Sequence, residues 1–192
     1  MKRVGVLSLQ GDFAAHGEAL RRAGAEPVYV RRADQLAGLD GLVIPGGEST
    51  TMLKLLRYDG LMEPLAQFAR RKPVFGTCAG AILMASQVSG PEQESLGLID
   101  ISVERNGYGR QVDSRVTSIE PDADFERRTA PGALEAVFIR APIIRHVGST
   151  ARVLARYSDD PVLVEQGPHL AATFHPELTG DTRVHRLFLE KL

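Results

Sequence analysis

The chain has 192 residues, 23 Lys plus Arg against 24 Asp plus Glu, and a single cysteine. That length suits one domain spanning residues 1–192 with a full buried core, and the near-zero net charge argues against electrostatic capture of nucleic acid. One cysteine rules out a disulfide-stapled secreted scaffold, and no apolar stretch nears the roughly 20 residues needed to span a bilayer, so a cytoplasmic protein without membrane contact is expected.

Residues 4–9 form an apolar run that reads as a buried strand, followed by a helix over residues 13–23. Phe13, Ala14, Leu20 and Ala23 give that helix a loose apolar stripe, and Gly24 is a suitable stop. Pro27 leads into a second strand at 28–30. A third, at 41–44, ends at Pro45-Gly46-Gly47. Helical patterns cover 49–57 and 61–71, a short strand follows at 74–75, and an apolar helix is expected over 79–88, closed by Gly90-Pro91. Strand-like pieces then dominate: 98–103, 111–119, 136–139, 153–157, 162–165 and 170–174. A helix over 182–191 closes the sequence. Alternating strands and helices imply a three-layer α/β domain with a mainly parallel sheet and antiparallel additions in the C-terminal half. In such sheets ligands bind beyond the carboxyl ends of the strands, so residues just after strands come first.

The strongest strand end is Val74-Phe75-Gly76-Thr77-Cys78-Ala79-Gly80, a thiol counterpart of the Gly-x-Ser-x-Gly nucleophile elbow. A cysteine there stands at a helix N-terminus, where unpaired amides and the dipole favour thiolate. A small buried hydrophobe is the competing reading of a lone cysteine; the two glycines and the strand–helix context favour the nucleophile. A thiol nucleophile needs a base. His16 and His185 lie within helices, and His16 is read as an ordinary helix histidine. Only His175 comes directly after an apolar strand, and Pro176 and Glu177 follow it. In an extended segment residues two apart share a side, which would bring Glu177 to the imidazole to hold its tautomer. The third strand end, Pro45-Gly46-Gly47-Glu48-Ser49-Thr50, reads as a turn with Ser49 or Thr50 capping the next helix. Combined with the elbow, it offers one oxyanion donor from Gly47, the other coming from the amide of Ala79.

Gly76-Thr77-Cys78-Ala79-Gly80 with the distant His175-Pro176-Glu177 resembles a class I glutamine amidotransferase. Residues 5–11, 45–52, 103–106, 109–114, 138–142 and 174–179 narrow the resemblance to the glutaminase subunits of pyridoxal 5'-phosphate synthases. It implies a flavodoxin-like fold that hydrolyses L-glutamine to glutamate and ammonia, passing the ammonia to a separate synthase subunit and showing little activity until docked to it. Carried over by position, Cys78 is the nucleophile, His175 and Glu177 form the relay, and Gly47, Glu48, Ser49, Arg105, Ile139 and Arg140 bind glutamine. Arg105 or Arg140 could supply a guanidinium for the α-carboxylate. The sequence shows no phosphate-binding glycine loop, Cys/His metal cluster or dinucleotide fingerprint, so neither cofactor nor metal is expected. Two other readings stay open at this stage, a non-catalytic module that only docks to a synthase and a cysteine hydrolase with another substrate.

Overall fold

Short apolar strands alternate with amphipathic helices through the first half of the chain. The computed structural model describes residues 1–107 and 114–192. The elements run β1 (Arg3–Leu7), α1 (Phe13–Ala23), β2 (Glu26–Val30), β3 (Gly41–Ile44), α2 (Ser49–Tyr58), α3 (Met62–Ala69), β4 (Val74–Thr77) and α4 (Ala79–Met84). The second half adds β5 (Ala85–Ser89), β6 (Ile99–Glu104), β7 (Ser114–Ile119), α5 (Ala123–Arg128), β8 (Leu134–Ile139) and β9 (Ile143–Val147). It ends with β10 (Arg152–Tyr157), β11 (Asp160–Gln166), β12 (His169–Ala172) and α6 (Arg183–Leu189).

Seven strands form the main sheet in the order β10-β11-β12-β4-β3-β1-β2. The run from β12 to β2 is parallel, and β11 and β10 continue it antiparallel. The period-2 alternation of the strands divides the core. Val4, Val6, Val43 and Phe75 face a cluster shared with Leu20 of α1 and Leu187 and Phe188 of α6. Leu7, Leu42, Ile44 and Val74 face the opposite cluster, with Met52, Leu56, Leu65 and Leu83 of α2, α3 and α4. Every residue of β3 and β4 is buried, as central parallel strands covered on both faces require. Phe75, Phe174 and Phe188 are wholly sealed, each burial stabilising by roughly 1.5–3 kcal/mol. This is the flavodoxin-like three-layer sandwich.

Several elements depart from the sequence expectation. The helix expected over 79–88 stops at Met84, and Ala85–Ser89 becomes β5, paired parallel with β6 from Ala85↔Ile99 onward. Periodicity alone cannot tell a short buried helix from a strand, and the pairing with β6 decides. The antiparallel additions are also only partly in the main sheet: β5-β6-β9 and β7-β8 form two sheets of their own. Strand β9 and helix α5 were not expected. Pro27 sits inside β2 rather than before it, which an edge strand tolerates because it has a free side. Helix α1 buries His16, Gly17, Ala19 and Leu20, whereas Ala14 is exposed, so its inward face is rotated from the expected stripe. Residues 111–113 of one expected strand and most of the 109–114 motif lie outside the described residues; the rest of that strand is β7.

Candidate active site

Cys78 follows β4 directly and forms the N-cap of α4 with φ 49° and ψ −105°. A non-glycine residue there is strained and persists only where its surroundings enforce it. Two close approaches do so. A Cβ at Gly80 would lie 2.0 Å from the Ile44 carbonyl oxygen, and one at Gly76 would lie 2.6 Å from the Gly80 carbonyl and the Met84 sulfur. Only glycine at both positions lets α4 turn back this tightly over β3 and β4. The Cys78 amide donates to the Ala172 carbonyl at 2.8 Å, tying the elbow to the end of β12.

That neighbouring strand end delivers the imidazole. The His175 amide donates to the Val137 carbonyl of β8 at 2.8 Å, which brings its ring beside the Cys78 side chain. Both groups close on Gly46, where a Cβ would lie 2.4 Å from His175 Cε1 and 3.4 Å from Cys78 Cβ. On the far side, His175 Nδ1 and Glu177 Oε1 are 2.7 Å apart. Glu177 does not reach the ring along an extended segment, as expected from sequence. Pro176–Leu178 form a 3₁₀ turn, and the tight turn folds the carboxylate back onto the residue two before it. The Cys78 Sγ also lies 3.9 Å from the Ile139 carbonyl.

Burial opposes charge on His175, but its bonds to Cys78 and Glu177 outweigh it and lift the pKa to about 10. Burial raises Glu177 as well, against the pull of the His175 bond. With its pKa so raised, His175 favours the imidazolium across the neutral range, its Nδ1–H directed at the Glu177 carboxylate.

The cleft beside Cys78 and His175 has a volume of about 270 Å³. Gly47, Glu48, Ser49, Cys78, Arg105, Ile139, Arg140 and His175 all line it, so the sequence candidates converge on one place. Glu177 and Ala79 are not in the wall; they are buried directly behind His175 and Cys78. Ala79 is the first residue of α4, so its amide is among those with no partner inside the helix. Glu48, rather than Ser49 or Thr50, caps α2, accepting from the Thr50 and Thr51 amides at 3.0 and 2.7 Å. Partial burial works against its charge, yet the Thr51 hydroxyl and these amides prevail and hold its pKa down at about 2. Arg105 donates to the Thr50 hydroxyl at 2.7 Å and stands 3.6 Å from Glu48, which fixes a guanidinium and a carboxylate at the rim. Arg140 is exposed, with φ 45°.

Comparison with known proteins settles the lineage. The family model described as the SNO glutamine amidotransferase family matches residues 6–192. The chain belongs to the SNO glutamine amidotransferase family. Among its relatives, the pyridoxal 5'-phosphate synthase subunit PdxT of Solibacter usitatus is 69% identical over the full length of both chains. The protein of the same name from Koribacter versatilis is 54% identical, with 98% of this chain and 94% of the relative covered. A solved glutamine amidotransferase superposes with a TM-score of 0.88 at 48% identity, covering 98% of this chain and 97% of that one. At 17% identity, the PurLQS structure from Thermotoga maritima shares the fold, with a TM-score of 0.78.

In this SNO amidotransferase three wall residues lay beyond the sequence reading: Gln10, Asp12 and Asn106. Gln10 accepts from the Glu48 amide at 3.1 Å and packs against Gly47, whose φ of 151° strains any side chain placed there. The Asp12 carboxylate lies 3.6 Å from His175 Nδ1. Both residues follow β1, so the strand-end rule that found Cys78 and His175 applies to them equally.

Proposed function

We propose that this chain hydrolyses the side-chain amide of L-glutamine through a thioester at Cys78 and delivers the ammonia to a pyridoxal 5'-phosphate synthase subunit. His175 holds the proton given up by the thiol, and the Cys78 thiolate attacks the amide carbon to form a tetrahedral oxyanion. The amide of Ala79 and that of Gly47 are the proposed donors to that oxygen. His175 then returns the proton to the leaving nitrogen, the C–N bond breaks, and ammonia departs. Water, deprotonated by the same imidazole, attacks the thioester; the C–S bond breaks, and glutamate and the thiol are regenerated. Glu177 stays ionised at the turnover step and stabilises the imidazolium. At the rim Glu48 and Arg105 offer one carboxylate and one guanidinium, the charge complement of a zwitterionic α-amino acid head. Gly47, Ser49, Ile139 and Arg140 complete the substrate wall in this reading.

The observation that carries the proposal is the Cys78 elbow aimed at His175, whose other ring nitrogen is held by Glu177 at 2.7 Å. Full-length relatives called synthase subunits support the partner. Ammonia released into neutral water is mostly protonated and lost as a nucleophile, so turnover coupled to docking is the expected economy. Glutamate release is therefore low for the chain alone and rises about tenfold or more with the synthase subunit present, while Cys78→Ala abolishes it in both settings. Equal turnover with and without the partner contradicts the coupling, and an active Cys78→Ala protein contradicts the chemistry.

A further inference from the structure

Behind the Cys78–His175–Glu177 line stands a second row of sealed polar groups that this chemistry does not use. His16 on α1 and His185 on α6 are both fully buried. His16 Nε2 is 2.9 Å from the hydroxyl of Thr77, the residue preceding Cys78, and 3.4 Å from Oε2 of Glu177. On its other side, His16 Nδ1 is 3.1 Å from His185 Nε2. Glu177 Oε2 and His185 Nδ1 are buried without a hydrogen-bond partner.

Burial, with His185 and His175 nearby, keeps the His16 pKa well below its ordinary value; burial holds His185 down at about 3. Each ring is therefore neutral, with one N–H and one lone pair, and the row has two possible proton arrangements. If His16 carried its proton on Nδ1, it would donate to His185 Nε2. The His185 proton would then sit on Nδ1 as an orphaned buried donor, and a His16 lone pair would face the Glu177 carboxylate. Orphaned buried N–H groups are rare, and the lone pair would repel the anion. With the His16 proton on Nε2, the hydrogen is donated to the Thr77 hydroxyl at 2.9 Å, and its positive edge faces Glu177 Oε2 at 3.4 Å. His185 Nε2–H donates to His16 Nδ1, and the atom left bare is an acceptor, the milder defect.

We propose that His16 is a positioning residue for the reaction: its Nε2–H faces the outer oxygen of Glu177 and keeps that carboxylate anionic and oriented toward His175, while His185 fixes the His16 tautomer. The catalytic line is thereby extended through the β-sheet to α1 and α6, the layer of helices on the side away from α4. The proposal rests on the glutaminase reading for its kinetic consequence, and on burial and geometry for its proton assignment. The titratable groups facing His16 are His185 from α6 and Glu177 and His175 from the segment after β12. Arg22 stands near His185, and Tyr29 of β2 packs against α1 at Gly17.

Nitrogen-15 spectra of the histidine-labelled wild-type chain test the assignment directly. A His16 proton on Nε2 is expected, and a proton on Nδ1 overturns the proposal. Glutaminase kinetics with the synthase subunit present supply the second arm. His16→Leu should lower kcat about tenfold or more with KM within about twofold, and should move the acid limb of the pH profile to higher pH, because the carboxylate has lost a donor. His16→Gln can place an N–H where Nε2 stands and should recover most of kcat and the wild-type limb. A His16→Leu protein with wild-type kcat and limb overturns the proposal; so do equal losses in both variants with the limb unmoved. If His16→Leu fails to fold, the wild-type tautomer and the His16→Gln limb decide the matter. A wild-type complex that releases no glutamate refutes the glutaminase reading instead, and the tautomer still decides the hydrogen bond.

Discussion

Glu177 is a carboxylate sealed from water whose inner oxygen faces the His175 ring nitrogen at 2.7 Å. Replacing it by Gln keeps size and burial but removes the charge that stabilises the imidazolium. Glu177→Gln should therefore lower kcat by about 10²-fold or more with the native fold retained. Steady-state kinetics alongside thermal melting checks this, and unchanged kcat would remove Glu177 from the relay. At this scale the sequence was most legible where backbone geometry demands particular residues. Cys78 stands out because Gly76 and Gly80 are the only fits for a turn packed against Ile44 and Met84. His16 was not legible, since a histidine inside a helix carries no sign of what it faces. The available signal was a polar residue on the buried face beside Ala19 and Leu20, and the loose apolar stripe read from Phe13 and Ala14 hid that face.

Helix α2 depends on a cap that belongs to the cleft as well. Glu48 accepts from two amides and the Thr51 hydroxyl and is held at about 2, against 4.5 for the ordinary side chain. A folded-state pKa depressed in this way adds stability that is complete above pH 4.5 and lost as the pH falls toward 2. The side chain is 52% exposed, so water screens the interaction and a contribution of about 1 kcal/mol is expected rather than the full shift. Denaturant unfolding of wild type and Glu48→Gln should differ by about that amount at pH 6, with the gap closing below pH 4. Parallel curves at every pH would show that the cap contributes nothing through charge. The sequence could not assign this role, because Ser49 and Thr50 are themselves favoured caps and only the fold shows which residue precedes the first turn. The helix expected over 79–88 failed for a related reason: its second half is decided by β6, whose pairing lies in a distant segment.

Across the whole molecule, the proposed function depends on one sheet bringing distant segments to a common edge. The order β12-β4-β3 sets the ends of three strands side by side, with Ala172 opposite Thr77 and Ile44 opposite Gly76. His175, Cys78 and Gly46 follow those ends by one to three residues, which explains why strand-end reasoning led to one candidate cleft while the grouping into small sheets went unforeseen. The strands of the main sheet advertise themselves as apolar runs followed by turns, whereas β5 and β9 are short, partly exposed strands assigned by their partners. The central claim is that Cys78 attacks the side-chain carbon of glutamine. Incubating the chain and its synthase subunit with a glutamine analogue bearing an electrophilic carbon in place of the amide, then mapping the peptides by mass spectrometry, tests it most directly. Stoichiometric labelling at Cys78, slowed by excess L-glutamine, is the predicted result; an unlabelled Cys78, or labelling indifferent to L-glutamine, contradicts it.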